Sequence, residues 1–341
     1  MTSIRTVQSA IALLAGIATI LAAPTSAQTR SRGKAHAPER PVHAKAAPKP
    51  APLPCGDLIG FQVLLDGQGF SPGEIADKPG DNLTHALTAL QTARAIAPTG
   101  LPDCDTWHAL GGDSAGSLVR TYTVTEDDLK GPFTEKIPRD LEEQAKLPEL
   151  GYRSPLEQLA ERFHVAPAVL ARLNHNARLA AGRQIQVPGT QPFDAKVKPT
   201  PDANAGEVAI QVSRDESAMR ATRADGTLVF FAPVSSGSEH DPLPPGTWKV
   251  TSVDWHPVFH YNPELFWDAK PEQNRATLKA GPNNPVGVVW VGLNIEHYGL
   301  HGTPEPGHIG QTESHGCVRL TNWDAARLAS LVKRGTAVIF Q

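Results

Sequence analysis

Residues 299–324 read GLHGTPEPGHIGQTESHGCVRLTNWD, and what this stretch is decides what the last domain is. It sets His301, Ser314, His315 and Cys317 in one glycine-rich run, in a chain with only three cysteines. A thiol attacks a carbonyl well only when a base takes its proton and N–H donors wait for the oxyanion. Gly316, beside Cys317, lets the backbone turn amides toward such a carbonyl where a side chain would block the approach. His301 is the candidate base, and the Pro/Gly-rich loop from Pro304 to Glu313 can return it against Cys317. Two other readings stay open here. One is a buried, inert thiol; the other is a zinc site drawing on His297, His301, His315 and Cys317. The four-residue spacing of His297 and His301 suits a helix, whereas Gly299, Gly302 and Pro304 argue for a turn.

Outward from this stretch the pattern is one of strands. EVAIQVSRDESAMRATRADGTLVFFAPVSSG predicts strand, turn at Ala224-Asp225-Gly226, and strand; GTWKVTSVDW, VGVVWVGLNI and GTAVIF add three more. An all-β core with short late helices is expected over residues 206–341. Between strands lies DWHPVFHYNPELFWDAK. Its Trp255, Tyr261 and Trp267 read either as a lid over a cleft or as ordinary packing of a long loop.

The chain has 341 residues, enough for about two or three domains. Its formal net charge of −3 argues against nucleic acid as a partner, which calls for a concentrated basic excess. Residues 1–27 combine Arg5, an apolar run from Ile11 to Ala23 and small residues at Thr25 and Ala27, the pattern of a secretory signal peptide cut after Ala27. The alternative, an uncleaved anchor, meets an apolar run shorter than the roughly 20 residues a spanning helix needs. The expectation is an exported protein of the periplasm or cell envelope with no membrane span in its mature form. In an oxidising compartment three cysteines leave one over. Cys55 and Cys104 flank one segment and are the natural pair, which closes a loop worth roughly 3–4 kcal/mol in the chain-entropy model; Cys317 is then the free thiol.

Residues 28–54 are rich in Pro, Ala, Lys and Arg and read as an extended basic linker. In residues 55–112, IGFQVLLDGQGF predicts a short helix, and Leu83, Ala86, Leu87, Leu90 and Ala93 repeat at helical spacing behind Asp81. With Gly69-Phe70, Thr99-Gly100, Asp103, Thr106-Trp107 and Leu110, this segment resembles the three-helix peptidoglycan-binding domain. Residues 120–190 predict a strand, two amphipathic helices (Leu156, Leu159, Ala160, Phe163; then Val169, Leu170, Leu173) and a strand. Through Leu170, Asn174, Gly182, Ile185, Val187 and Pro188 they resemble a LysM-type glycan-binding module; a spacer without ligand is the alternative. A second linker covers 191–205. The expected chain is thus multidomain: a small all-α domain, an α+β region and a mostly-β C-terminal domain.

HGT-P-E-P, IG and SHGCVRLTNWD, with PPGTWKVT, YNPELFW and GPNNPVGVVWVGL upstream, resemble the L,D-transpeptidase (YkuD-type) catalytic domain over residues 206–341. The resemblance implies a β-sandwich with the cysteine at the mouth of a cleft, Cys317 as nucleophile, His301 as base and the Gly302 carbonyl as its orienting group. It implies an oxyanion site from the amides of His315, Gly316 and Cys317, with Ser314, His315 and Arg319 shaping the loop or holding substrate. The implied reaction releases D-Ala from a tetrapeptide stem of peptidoglycan through a Cys acyl-enzyme and transfers the acyl group to an amine, giving a 3–3 cross-link or a protein anchor. No metal or cofactor is called for. Water as acceptor gives an L,D-carboxypeptidase, and a non-catalytic wall-binding protein is the rival from another class.

Overall fold

The computed structural model describes residues 52–341; the signal-peptide reading of 1–27 and nearly all of the 28–54 linker lie outside the described residues. Three helices open the described chain: α1 (Leu58–Gly67), α2 (Asp81–Ala93) and α3 (Cys104–Ala109). Asp57 and Asp103 cap α1 and α3 by accepting the Gly60 and Thr106 amides, which leaves fewer orphan N–H groups at each start. Leu83, Ala86, Leu87 and Leu90 of α2 are buried with Phe61, Leu65 and Trp107. Ala93, expected on the same face, is exposed, because the helix ends there and has no further turn to cover it. A disulfide joins Cys55 to Cys104.

Next come β1 (Val119–Thr123), α4 (Glu126–Lys130), α5 (Leu141–Ala145), α6 (Pro155–Arg162), α7 (Pro167–Leu173) and β2 (Gln184–Pro188). β1 and β2 pair antiparallel, Tyr122 opposite Ile185. Helix α4 is a single turn made by a capping box: Asp128 N–H donates to the Thr125 hydroxyl and the Thr125 amide returns to the Asp128 carboxylate. Leu159, Phe163, Leu170, Ile185 and Val187 share a core with Val63 of α1 and with Ile75.

The C-terminal part is mostly β. Its strands are β3 (Val208–Ser213), β4 (Ala218–Arg223), β5 (Leu228–Pro233), β6 (Ser235–Ser236), β7 (Gly246–Trp255), β8 (Phe259–Tyr261), β9 (Ala276–Leu278), β10 (Val289–Leu293), β11 (Gly299–His301), β12 (Val318–Arg319) and β13 (Ala337–Phe340), with helix α8 (Asn322–Leu331) before the last. Nine of them run in the order β5-β4-β3-β13-β7-β10-β11-β12-β6. The long β7 belongs to both halves: Gly246–Lys249 pair with β13, and Val250–Trp255 with β10. Residues from both halves, among them Ile210, Phe230, Val291, Leu300, Val318 and Phe340, meet in one core, so the sheet folds on itself about β7. β8 and β9 form a separate antiparallel ribbon.

The helical layer does not hang from a flexible joint. Phe231 N–H donates to the Gly69 carbonyl (2.8 Å) and Ser71 N–H to the Phe231 carbonyl (2.9 Å), which covers the free edge of β5. The Phe231 ring is fully buried among Phe61, Leu65 and Phe70. The described residues, 52–341, therefore behave as one compact unit. Among the described residues no helix is long and apolar enough to cross a membrane.

Phe231→Ala should cost about 3–5 kcal/mol, the range for a deleted buried Phe, read as a lower midpoint in urea. A loss under about 1 kcal/mol would mean that the helical layer is not seated on β5.

Candidate active site

Two short strands build the site. β11 and β12 lie parallel with Leu300 opposite Val318 and His301 opposite Arg319. Side chains alternate along a strand, so Leu300 and Val318 enter the core, where each is about 1% exposed or less. His301 and Arg319 then share the other face, and Cys317, two residues before Arg319, shares it too. The HGT run and the SHGC run thus meet as neighbours in a sheet, with the loop 302–317 between them.

His301 is 4% exposed. Its Nδ1 lies 2.7 Å from the Gly302 carbonyl. A carbonyl can only accept, so Nδ1 carries the hydrogen and Nε2 keeps its lone pair. The ring stacks on Trp290 of β10, the residue paired with it across the sheet, at 5.5 Å and 16°. Gly299 makes room for this indole, since a Cβ there would lie 2.6 Å from it. Burial pushes the His301 pKa down to about 4; the Gly302 bond works the other way, and the Arg319 charge adds to the lowering.

Cys317 is the free cysteine, half-buried, with its thiol donating to the His297 carbonyl at 3.4 Å. Burial pushes the thiol up to about 11, against the Gly299 backbone and Arg319, which pull it down. Both members of the pair are neutral at pH 7. Arg319 makes no ion pair among the described residues, and burial lowers its pKa while Cys317 and Glu305 raise it. A guanidinium left unpaired beside the thiol is ready for an anionic group of a ligand.

The loop before Cys317 is held at both ends. Ser314, 3% exposed, receives the Gly237 amide on its hydroxyl at 2.8 Å and donates to the Cys317 carbonyl at 2.5 Å. Gly316 has φ +95°, and a Cβ there would meet the Tyr298 ring at 2.9 Å, so this position requires glycine. His315 Nε2 lies 2.9 Å from Asp268, and its ring sits beside Phe266 and Trp267.

The three lid candidates part company. Trp267 is 56% exposed, stacked on His240 at 4.2 Å and next to His315, at the mouth of the site. Trp255 is not a lid residue: it ends β7 and packs on the main core. Nor is Tyr261, which is 4% exposed in a satellite cluster with Leu150 and Leu278, braced from behind by Leu141 and Leu147. Both are drawn inward by apolar neighbours distant in sequence. Of the histidines weighed for zinc, His297 is turned to Glu296, and among the described residues no His/Cys/Asp/Glu group has a metal-holding arrangement. Trp290, Tyr298 and Asp268 were not singled out in the sequence. Alternation in VVWVGL marks Trp290 as facing away from Val289 and Val291, whereas nothing near Asp268 announces its partner.

Residues 207–340 match the family model described as YkuD, L,D-transpeptidase catalytic domain. The chain is 28% identical over 186 residues to a putative L,D-transpeptidase YkuD of Bacillus licheniformis, which covers 54% of this chain and 91% of the relative. It is 39% identical over 92 residues to a probable L,D-transpeptidase YbiS of Escherichia coli K12, 27% of this chain and 29% of that protein. A solved L,D-transpeptidase from Mycobacterium smegmatis aligns over 48% of this chain and 76% of its own at 20% identity and a TM-score of 0.33.

With a buried neutral base and a neutral thiol, alkylation of Cys317 by iodoacetamide should climb with pH and show an apparent pKa well above 9. An apparent pKa below 7 would mean a standing thiolate–imidazolium pair instead.

Proposed function

We propose, from the match of residues 207–340 to the YkuD-type L,D-transpeptidase catalytic domain, a cysteine-dependent enzyme domain, that Cys317 and His301 perform acyl transfer on peptidoglycan stem peptides. The observation that carries the reading is the shared strand face: a free thiol, a buried imidazole with a fixed Nε2 lone pair and an unpaired guanidinium, set side by side by the β11–β12 register.

In the proposed path the thiol turns from the His297 carbonyl toward His301 Nε2, gives up its proton and attacks the carbonyl between the third stem residue and D-Ala. Because imidazole and thiol are both neutral at rest, charge separates only as the sulfur–carbon bond forms. Amides of the His315–Cys317 turn receive the oxyanion; Gly316 at positive φ supports that turn. His301 then hands its proton to the departing D-Ala amine, leaving a thioester on Cys317. An amine of a second stem attacks the thioester, His301 takes up the proton lost by the amine, and the thiol is restored. Arg319 offers its charge to a stem carboxylate. Residues 55–112 and 120–190 are proposed as wall-facing modules, and the 1–27 leader as the export signal that brings the enzyme to its polymer.

The test is mass spectrometry of a disaccharide-tetrapeptide incubated with the protein and with Cys317→Ala. A dimer lighter by one D-Ala, formed only with the cysteine, is expected. Shortened monomer alone would establish the carboxypeptidase, and stems left intact would leave a non-catalytic wall-binding protein.

A further inference from the structure

Resting on that catalytic reading, we infer that Glu161, a side chain of helix α6 outside the catalytic domain, is a positioning residue for the His301 base. The link is short and buried. Asn322, the first residue of α8, is fully buried. Its Oδ1 accepts from the Val288 amide at 3.1 Å, and its Nδ2 donates to the Pro282 carbonyl at 3.1 Å and to Glu161 Oε1 at 3.0 Å. The Val288 donor requires an oxygen opposite it, so the amide has one orientation. Its Oδ1 lies against Gly302, where a Cβ would meet it at 2.1 Å. The Gly302 carbonyl is the group that fixes His301 Nδ1. Glu161 thus holds Asn322, Asn322 packs on Gly302, and Gly302 aims the imidazole.

Glu161 is 7% exposed, and Tyr152 also donates to its Oε1, at 3.1 Å. With both bonds on one oxygen, Oε2 is free to carry the proton of the neutral acid. Burial pushes its pKa up to about 8; the Asn322 and Tyr152 bonds oppose this, and Glu157 and Glu74 add to it. Glu161 borders a cavity of about 270 Å³ that also receives Glu74, Arg153, Glu157, Glu305 and His308. Arg153 pairs with Glu157 and His308 with Glu305, while Glu74, raised to about 7 by burial against the pull of His308, makes no ion pair among the described residues. The acid thus has like charge on two sides and no cation of its own.

Because the folded pKa lies above the ordinary value of 4.5, the folded protein holds more protons between the two. The stabilisation from neutral Glu161 is therefore complete below pH 4.5 and is lost as pH rises through about 8. Above that, the cost of burying the charge outweighs the Asn322 and Tyr152 bonds, which themselves favour the carboxylate, so the ionised side chain is drawn to solvent in the cavity and its hold on Asn322, and through it on Gly302, loosens. Neither His301, near 4, nor Cys317, near 11, titrates in this window.

The experiment is the rate of Cys317 acylation by the carbapenem imipenem, followed by intact mass from pH 5 to 9.5 on the full chain, for wild type, Glu161→Gln and Glu161→Ala. Gln keeps an acceptor oxygen and does not ionise, so it should match wild type at pH 6 and outpace it several-fold at pH 9, on top of any rise that both share as Cys317 loses its proton. Ala should acylate roughly tenfold more slowly at pH 6. Superimposable profiles of wild type and Glu161→Gln, or an Ala variant as fast as wild type, would overturn the positioning role. If the Ala variant does not fold, the Gln comparison decides alone. A folded wild type that imipenem never acylates would overturn the catalytic reading itself, and this inference with it.

Discussion

Everything chemical in this protein depends on the pairing of two very short strands. β11 and β12 meet in parallel with Leu300 against Val318 and His301 against Arg319. A slip of one residue would carry His301 or Cys317 into the core and bring an apolar side chain out. The register is pinned by that burial: Leu300 and Val318 lie in the same core as Val291 and Phe340. Pinning is reinforced at the ends, where Ser314 ties the turn to Gly237 and Leu320 N–H returns to the His301 carbonyl at 2.8 Å. Packing on one face thus sets the chemistry on the other.

The same arrangement governs electrostatics. Burial keeps both imidazole and thiol uncharged, and the nearby guanidinium opposes protonation of His301 while favouring a thiolate at Cys317. One fixed cation therefore eases loss of the thiol proton while making His301 a weaker base, so burial, the larger effect on both groups, sets their resting protonation. Trp290 excludes water from one face of the base, and the ribbon carrying Phe266, Trp267 and Asp268 reaches the other side of the nucleophile turn through His315. That ribbon rests on residues 137–150, so segments far outside the catalytic domain support the walls of the site.

What was legible in the sequence were features carried by contiguous residues. The HGT and SHGC runs, the helical spacing of α2 and the alternation of the late strands each fall within one segment, where local geometry fixes which side chains share a face. The short α4 and α5 arise from local caps, the inward turn of Trp255 and Tyr261 from packing against other segments, and the contact of Asp268 with His315 and the bond between Glu161 and Asn322 join residues 47 and 161 apart. Such pairings are settled by tertiary packing, which no periodicity records. The Pro-containing stretches suggested separate modules, yet Phe231 and Gly69 join the helical layer to the sheet edge, because an uncovered β5 would leave its amides unpaired.

A crystal structure of the protein after reaction with imipenem tests the central claim most directly. The expected result is a thioester on Cys317, its carbonyl oxygen facing the Gly316 and Cys317 amides, a ligand carboxylate on Arg319, and His301 still bonded through Nδ1 to the Gly302 carbonyl. An adduct on any other residue, or an acylated Cys317 with His301 and Arg319 turned away from the ligand, would contradict the catalytic face built by the β11–β12 register.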